Sequence, residues 1–284
     1  MSHILTLTDG SAYAESTYDY AAWAAERMEA SLEVLHALDH KREQADHADW
    51  SGSMAANERE ELLQELADLD AKKSKVLQAK GRAILDAAGA YFAEKGFAET
   101  KLTLRNGGLV ETVGQAEDTA DLLVIGKRGE TEAVAEAHLG ANLERVVRGC
   151  HHPVLVATRD FRPIKRILLA FDGGPSSRKA LQHAVNDKLL KGLDVMLLRV
   201  GPDKKSNREE LAVAAEELEK SGSSVETLLM QGTPEDVIAD VVTERDVDLL
   251  VVGAYGHSRI RHLIVGSTTS TLIRTIKVPL LMVR

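Results

Sequence analysis

Gly253, Gly256 and Gly266 frame a segment whose residue types suit one kind of chemistry, the binding of an anion. Two residues separate Gly253 from Gly256; nine more lead to Gly266-Ser267-Thr268-Thr269-Ser270. With no Cβ, Gly253 lets the chain turn sharply off a strand and Gly256 lets backbone approach a ligand. Gly266-Ser267-Thr268 opens a helical pattern, where free N–H groups and the positive end of the dipole favour negative charge. The Ser267 and Thr268 hydroxyls add donors. Arg259 and Arg261 lie between the glycines with His257 and His262, and no acid does. Singly, a glycine after a strand or a Ser-Thr run before a helix is ordinary turn and cap chemistry. In this order, with these charges, they read as a phosphate-binding loop.

The elements that position the loop are legible around it. Asp248-Leu249-Leu250-Val251-Val252 is a short apolar run of the kind expected of a buried parallel strand. After the loop, Leu272, Ile273 and Ile276 share a helical face, Val278-Pro279 stops the helix, and Leu280–Val283 reads as a last strand.

The same unit is written earlier in the chain. Ile4–Ser11 aligns with Ile167–Gly174 at an offset of 163 residues, and Asp121–Gly129 with Asp248–Gly256 at an offset of 127, so the first half carries 36 extra residues. The surplus falls in 40–80: polar to Asn57, then helical from Glu58 towards Gly96, with Leu62, Leu63, Leu66, Leu69, Val76 and Leu77 as an apolar stripe expected to pack on the core. Around it the first half reads as strands at 4–8, 32–38, 100–104, 121–125 and 153–157, with Trp23 and Met28 packing inward from an Ala-rich helix. In the second half, strands are expected at 166–171, 194–200 and 224–230. Ser176 or Ser177 would cap the first helix, and Thr233-Pro234 would start a later one. Strands alternating with helices give a parallel sheet covered on both faces, whose ligands sit past the carboxyl ends of the strands. Asp172 ends a strand at that edge, where it would serve as a turn residue or as an acceptor for a ligand's hydroxyl or amino group.

The string Gly253-x2-Gly256-x9-Gly266-Ser267, followed by a helix and Val278-Pro279-Leu280-Leu281, resembles the universal stress protein family. The resemblance implies an α/β fold of two tandem doubly wound parallel-sheet domains, 1–159 and 164–284, each of about five strands and similar to the adenine nucleotide alpha hydrolases. It implies ATP, or AMP or ADP, with or without Mg2+, as ligand. The contacts it carries over fall on Ala170, Asp172 and Val200 at strand ends, and on Gly253, Gly256, His257, Gly266, Ser267 and Thr268 in the loop. It further implies that the final strands of the two halves pair as a pseudo-dimer, with a homodimer of whole chains as an additional level.

The first half departs from the pattern. Ten residues, not nine, separate Gly129 from Gly140, and Ala141-Asn142 replaces the hydroxyls. Glu130, Glu132 and Glu136 beside Lys127 and Arg128 make its loop −1, against +2 for the second. Nucleotide is therefore expected in the second half alone, as a regulatory or protective ligand rather than a substrate. His257 and His262 are the only candidate bases near the loop, which leaves slow ATP hydrolysis or adenylate chemistry as an alternative and a non-nucleotide interaction module as a second.

Composition sets bounds. A net charge of −9 and 4% aromatic residues argue against nucleic acid as a partner. No apolar run approaches membrane-spanning length and no signal peptide is evident; with a single cysteine, Cys150, the expected location is the cytoplasm. His36, His40 and His47 lack matching cysteines and read as ordinary histidines, not metal ligands. The Cys150-His151 pair is not expected to form a nucleophilic couple, because neighbours on an extended chain point opposite ways.

Overall fold

The computed structural model describes residues 2–11, 13–38, 56–127, 141–254 and 267–284. The first half runs β1 (His3–Leu7), α1 (Ala14–Met28), β2 (Ser31–Leu38), α2 (Ala56–Glu94), β3 (Lys101–Asn106), α3 (Leu109–Ala116), β4 (Leu122–Gly126), α4 (Ala141–Gly149) and β5 (Val154–Ala157). The second runs β6 (Arg166–Ala170), α5 (Pro175–Asn186), β7 (Asp194–Val200), α6 (Lys205–Lys220), β8 (Ser224–Met230), α7 (Pro234–Glu244), β9 (Leu249–Gly253), α8 (Ser267–Thr275) and β10 (Leu280–Val283). All ten strands join one sheet in the order β3-β2-β1-β4-β5-β10-β9-β6-β7-β8.

Within each half every pairing is parallel, and the halves meet through one antiparallel pair, with Leu281 opposite Leu155. The expected pseudo-dimer is thus a continuous sheet. β5 and β10 are buried along their whole length, which closes the edges each half would otherwise expose. Arg27 of the first half donates across the same seam to the Leu189 and Lys191 carbonyls of the second, while Tyr20 bonds Thr158 and packs edge-on to Phe161, which holds the connecting segment.

Alternation along the strands builds two cores. Ile4, Val34, Val124, Leu155, Ile167, Leu169, Val251 and Leu281 point to the face covered by α1, α2, α5 and α6. Leu5, Leu35, Leu123, Val156, Leu168, Leu250 and Met282 point to the face under α3, α4, α7 and α8. Each core spans both halves, and each buried Leu, Ile or Val contributes about 1.5–3 kcal/mol relative to exposure.

The surplus of the first half takes a definite form. Helix α2 has 39 residues where its counterpart α6 has 16. It continues unbroken through Gly81 and Gly89, where side chains would collide with Leu104 and Leu102 of β3. Its second part packs through Leu85, Ala88 and Phe92. The expectation that the whole apolar stripe reaches the core does not hold: Leu69 is 55% and Val76 67% exposed, because this stretch lies beyond the sheet that would cover it. Met28 is buried and Trp23 half-buried, as expected. Among the described residues no helix is long and apolar enough to cross a membrane.

Candidate functional site

The carboxyl ends of β9, β6 and β7 lie side by side. Ala170 is level with Val252 on one side and Leu198 on the other, so Asp172 and Ala254, just past their strands, stand at the height of Val200, the last residue of β7. Three strands at about 4.8 Å spacing make a ledge roughly 10 Å across. The chain leaves β6 through α5 towards β7, while β9 lies on the opposite side. The gap between β6 and β9 is therefore the switch point where this architecture opens a crevice. Ala170 and Val200 are half-buried against the core under α3, α4, α7 and α8, which leaves their backbone at the edge.

Asp172 organises the corner. Its Oδ1 accepts from the Gly174 N–H at 2.7 Å and the Ser177 hydroxyl at 2.5 Å. Gly173 holds φ +81°, a conformation that favours glycine, and a Cβ there would collide with Glu210. Burial alone would raise the Asp172 pKa; the Ser177 hydroxyl, the backbone N–H groups and the Arg199 guanidinium outweigh it and hold the carboxyl below its usual range. Arg199 is itself held by Glu210 at 2.7 Å. The turn role of Asp172 is thereby established, and the residue remains exposed at the ledge.

Two details differ from expectation. Neither Ser176 nor Ser177 caps α5: the N-cap is Gly174, without a side-chain bond, and Ser177 serves Asp172 instead. Gly253 is not a turn residue but the last residue of β9; a Cβ there would lie 2.2 Å from the Ser176 carbonyl carbon and oxygen. It is glycine because the first turn of α5 rests on the strand end, with the Ser176 hydroxyl reaching the Ala254 carbonyl. Gly256, His257, Arg259, Arg261, His262 and Gly266 lie outside the described residues; Ser267 and Thr268 open α8. Arg199 and Glu210 escaped the sequence reading and Ser177 entered it only as a candidate cap; no motif marks the three as partners of this corner, since each comes from a different element.

The first half repeats the corner with changes. Ser11 N–H bonds Asp9 Oδ1 as Gly174 does Asp172, and Gly10 has φ +71°. Where Glu210 faces Gly173, however, the aliphatic Ile84 of α2 faces Gly10, with side-chain atoms 2.6–3.2 Å from a notional Cβ. Lys127, at the start of the first-half loop, donates instead to the Ile276 carbonyl at 2.5 Å, just past the carboxyl end of α8.

The Cys150 thiol is buried against the carboxylate of Glu117; burial first, then the hydrogen bond and the charge of that carboxylate, push its pKa far up. Glu117 is 3% exposed and also accepts from the His151 N–H at 3.0 Å and ring at 2.9 Å. Burial raises its pKa, but the Cys150 thiol and the two His151 donors together lower it below the usual range. A lowered carboxyl stabilises above the unfolded pKa, about 4.3, and that contribution is lost as pH falls through the folded value. Glu117→Gln is expected to cost about 1–2 kcal/mol at pH 7 and progressively less below pH 4, measured by urea unfolding across pH. Among the described residues no cluster suited to a metal ion occurs.

Fold and site together define a tandem, doubly wound α/β protein with one regular and one altered corner. The sequence pattern of the universal stress protein family matches residues 1–158 and 201–284, and the chain belongs to that family. Universal stress protein Slr1230 of Synechocystis sp. is 37% identical over the full length of both chains. Universal stress protein Rv1996 of Mycobacterium tuberculosis is 22% identical over 99% of this chain and 94% of its own. A crystal structure of a universal stress protein from Archaeoglobus fulgidus superposes with a TM-score of 0.72 at 18% identity, over 99% of this chain and 98% of that one, and shares the fold.

Proposed function

We propose that the second half binds one adenine nucleotide, ATP or its mono- or diphosphate, and that binding stabilises the chain rather than leading to turnover. The observation that carries this reading is the ledge, on which Val200, Asp172 and Gly253 come together at the β6/β9 switch point. Asp172 would accept from the ribose or the adenine amino group through its second carboxylate oxygen. Backbone at Ala170 and Val200 would border the base. The phosphates would extend over Gly253 towards Gly256, His257 and the Gly266-Ser267-Thr268 helix start, where charge and amide dipoles favour them.

The first half is read as empty of nucleotide. Ile84 sits over its corner, its loop is net negative, and Lys127 is engaged with the end of α8. A ligand that binds the folded state alone stabilises it by about 2.7 kcal/mol at a hundredfold excess over Kd. A full chain of this size should then melt about 4–5 °C higher at such an excess of ATP. Differential scanning fluorimetry with ATP, ADP, AMP and GTP tests this: a shift with the adenine nucleotides is expected, and none with any of them contradicts it. Over an hour's incubation the bound ATP should remain ATP by chromatography; release of ADP or AMP at a steady rate would place the protein among the enzymes.

A further inference from the structure

We infer that the amino-terminal part of α2 is a self-association surface, on which the same helix of a second copy of this chain lies antiparallel. The inference is independent of nucleotide binding.

From Gln64 onward, where burial along α2 is described, Gly81 is the first buried residue, against Leu104, His36 and Leu38 at the carboxyl edge of the sheet. Between Gln64 and Lys80 no residue is buried. Segment 64–80 thus extends beyond the sheet edge by about 25 Å at 1.5 Å per residue. Helices draw most of their stability from packing an apolar face, and an unpacked one of this length is marginal in water. Leu69 and Val76 are seven residues apart, two turns on the same face, and Val76 is the most exposed large apolar side chain among the described residues.

Charge identifies the occupant. Glu65, Asp68 and Asp70 precede Ala71; Lys72, Lys73, Lys75 and Lys80 follow it. The acidic half continues upstream with Glu58, Glu60 and Glu61 against a single Arg59. Two copies side by side in parallel would set acid on acid and base on base. Reversed about Ala71, each acidic half lies along the partner's basic half, and Val76 comes level with Leu66 of the other copy. Such an arrangement is isologous and closes as a two-fold dimer without further growth. The shorter α6 has no such extension, so the surface occurs once per chain.

Sedimentation velocity on the full chain tests this. The wild-type chain should be a dimer by a concentration of about 100 µM. Leu69→Glu with Val76→Glu should raise the dimer Kd at least tenfold; both sites are exposed, so the ATP-induced thermal shift should be unchanged and circular dichroism should lose at most the helicity of the freed segment. An acidic chain (Lys72→Glu, Lys73→Glu, Lys75→Glu) and a basic chain (Glu65→Lys, Asp68→Lys, Asp70→Lys) should each be monomeric alone and dimerise when mixed. A monomeric wild type, a dimer that survives Leu69→Glu/Val76→Glu, or a mixture that stays monomeric overturns the inference.

Discussion

Gly253→Ala should destabilise the chain by about 3 kcal/mol and abolish nucleotide binding with it. The cause is space rather than backbone freedom, since Gly253 is an ordinary strand residue. Its added methyl would lie 2.2 Å from the Ser176 carbonyl and 2.6 Å from the Ser177 nitrogen. These are backbone atoms in the first turn of α5, so relief requires the helix to lift from β9. That movement would pull Ser177 away from Asp172 and open the corner the ligand is proposed to use. The measurement is the urea midpoint with the slope checked for constancy. Gly114→Ala is the matched control: Gly114 lies within α3 with nothing within 4 Å of its notional Cβ, so alanine there should stabilise by about 0.5–1 kcal/mol. An unchanged midpoint for Gly253→Ala would mean that α5 does not rest on β9 as described.

Asp172→Ala and Asp172→Asn should separate the two roles of that residue. Alanine removes the acceptor for the Gly174 N–H and the Ser177 hydroxyl and should cost about 1–2 kcal/mol, with adenine nucleotide affinity falling at least tenfold. Asparagine keeps one acceptor oxygen for the turn but presents an NH2 where the carboxylate's second oxygen stood. Stability should largely survive in that variant, and affinity should still fall tenfold or more. Because the folded carboxyl is held below its unfolded pKa, near 3.9, its contribution is present above that value and lost as pH falls through the lower folded one. The gap in stability between the wild-type chain and Asp172→Ala should therefore narrow below pH 4. Asparagine binding ATP as tightly as the wild-type chain would leave Asp172 with the turn alone.

The duplicated architecture was legible because buried parallel strands carry continuous apolar runs, and two copies of one run at fixed offsets expose a repeat. Leu249–Val252 and Leu122–Ile125 are such a pair, whereas the pairing of β5 with β10 followed from the family resemblance. Contacts between elements distant in sequence were less accessible. Nothing around Gly253 announces that Ser176, 77 residues earlier, rests on it. A hydroxyl at a helix start has two physical uses, and which one Ser177 adopts depends on where Asp172 stands. The stripe of α2 was readable as amphipathic, but periodicity reports that a face is apolar, not what covers it. Exposure of Leu69 and Val76 depends on where the sheet ends.

Isothermal titration of the full chain with ATP reaches the central claim most directly, since stoichiometry counts competent corners. One nucleotide per chain, lost in Asp172→Asn and unaffected by Asp9→Asn, is the predicted result. Two nucleotides per chain, or a single site abolished by Asp9→Asn and retained in Asp172→Asn, would contradict it.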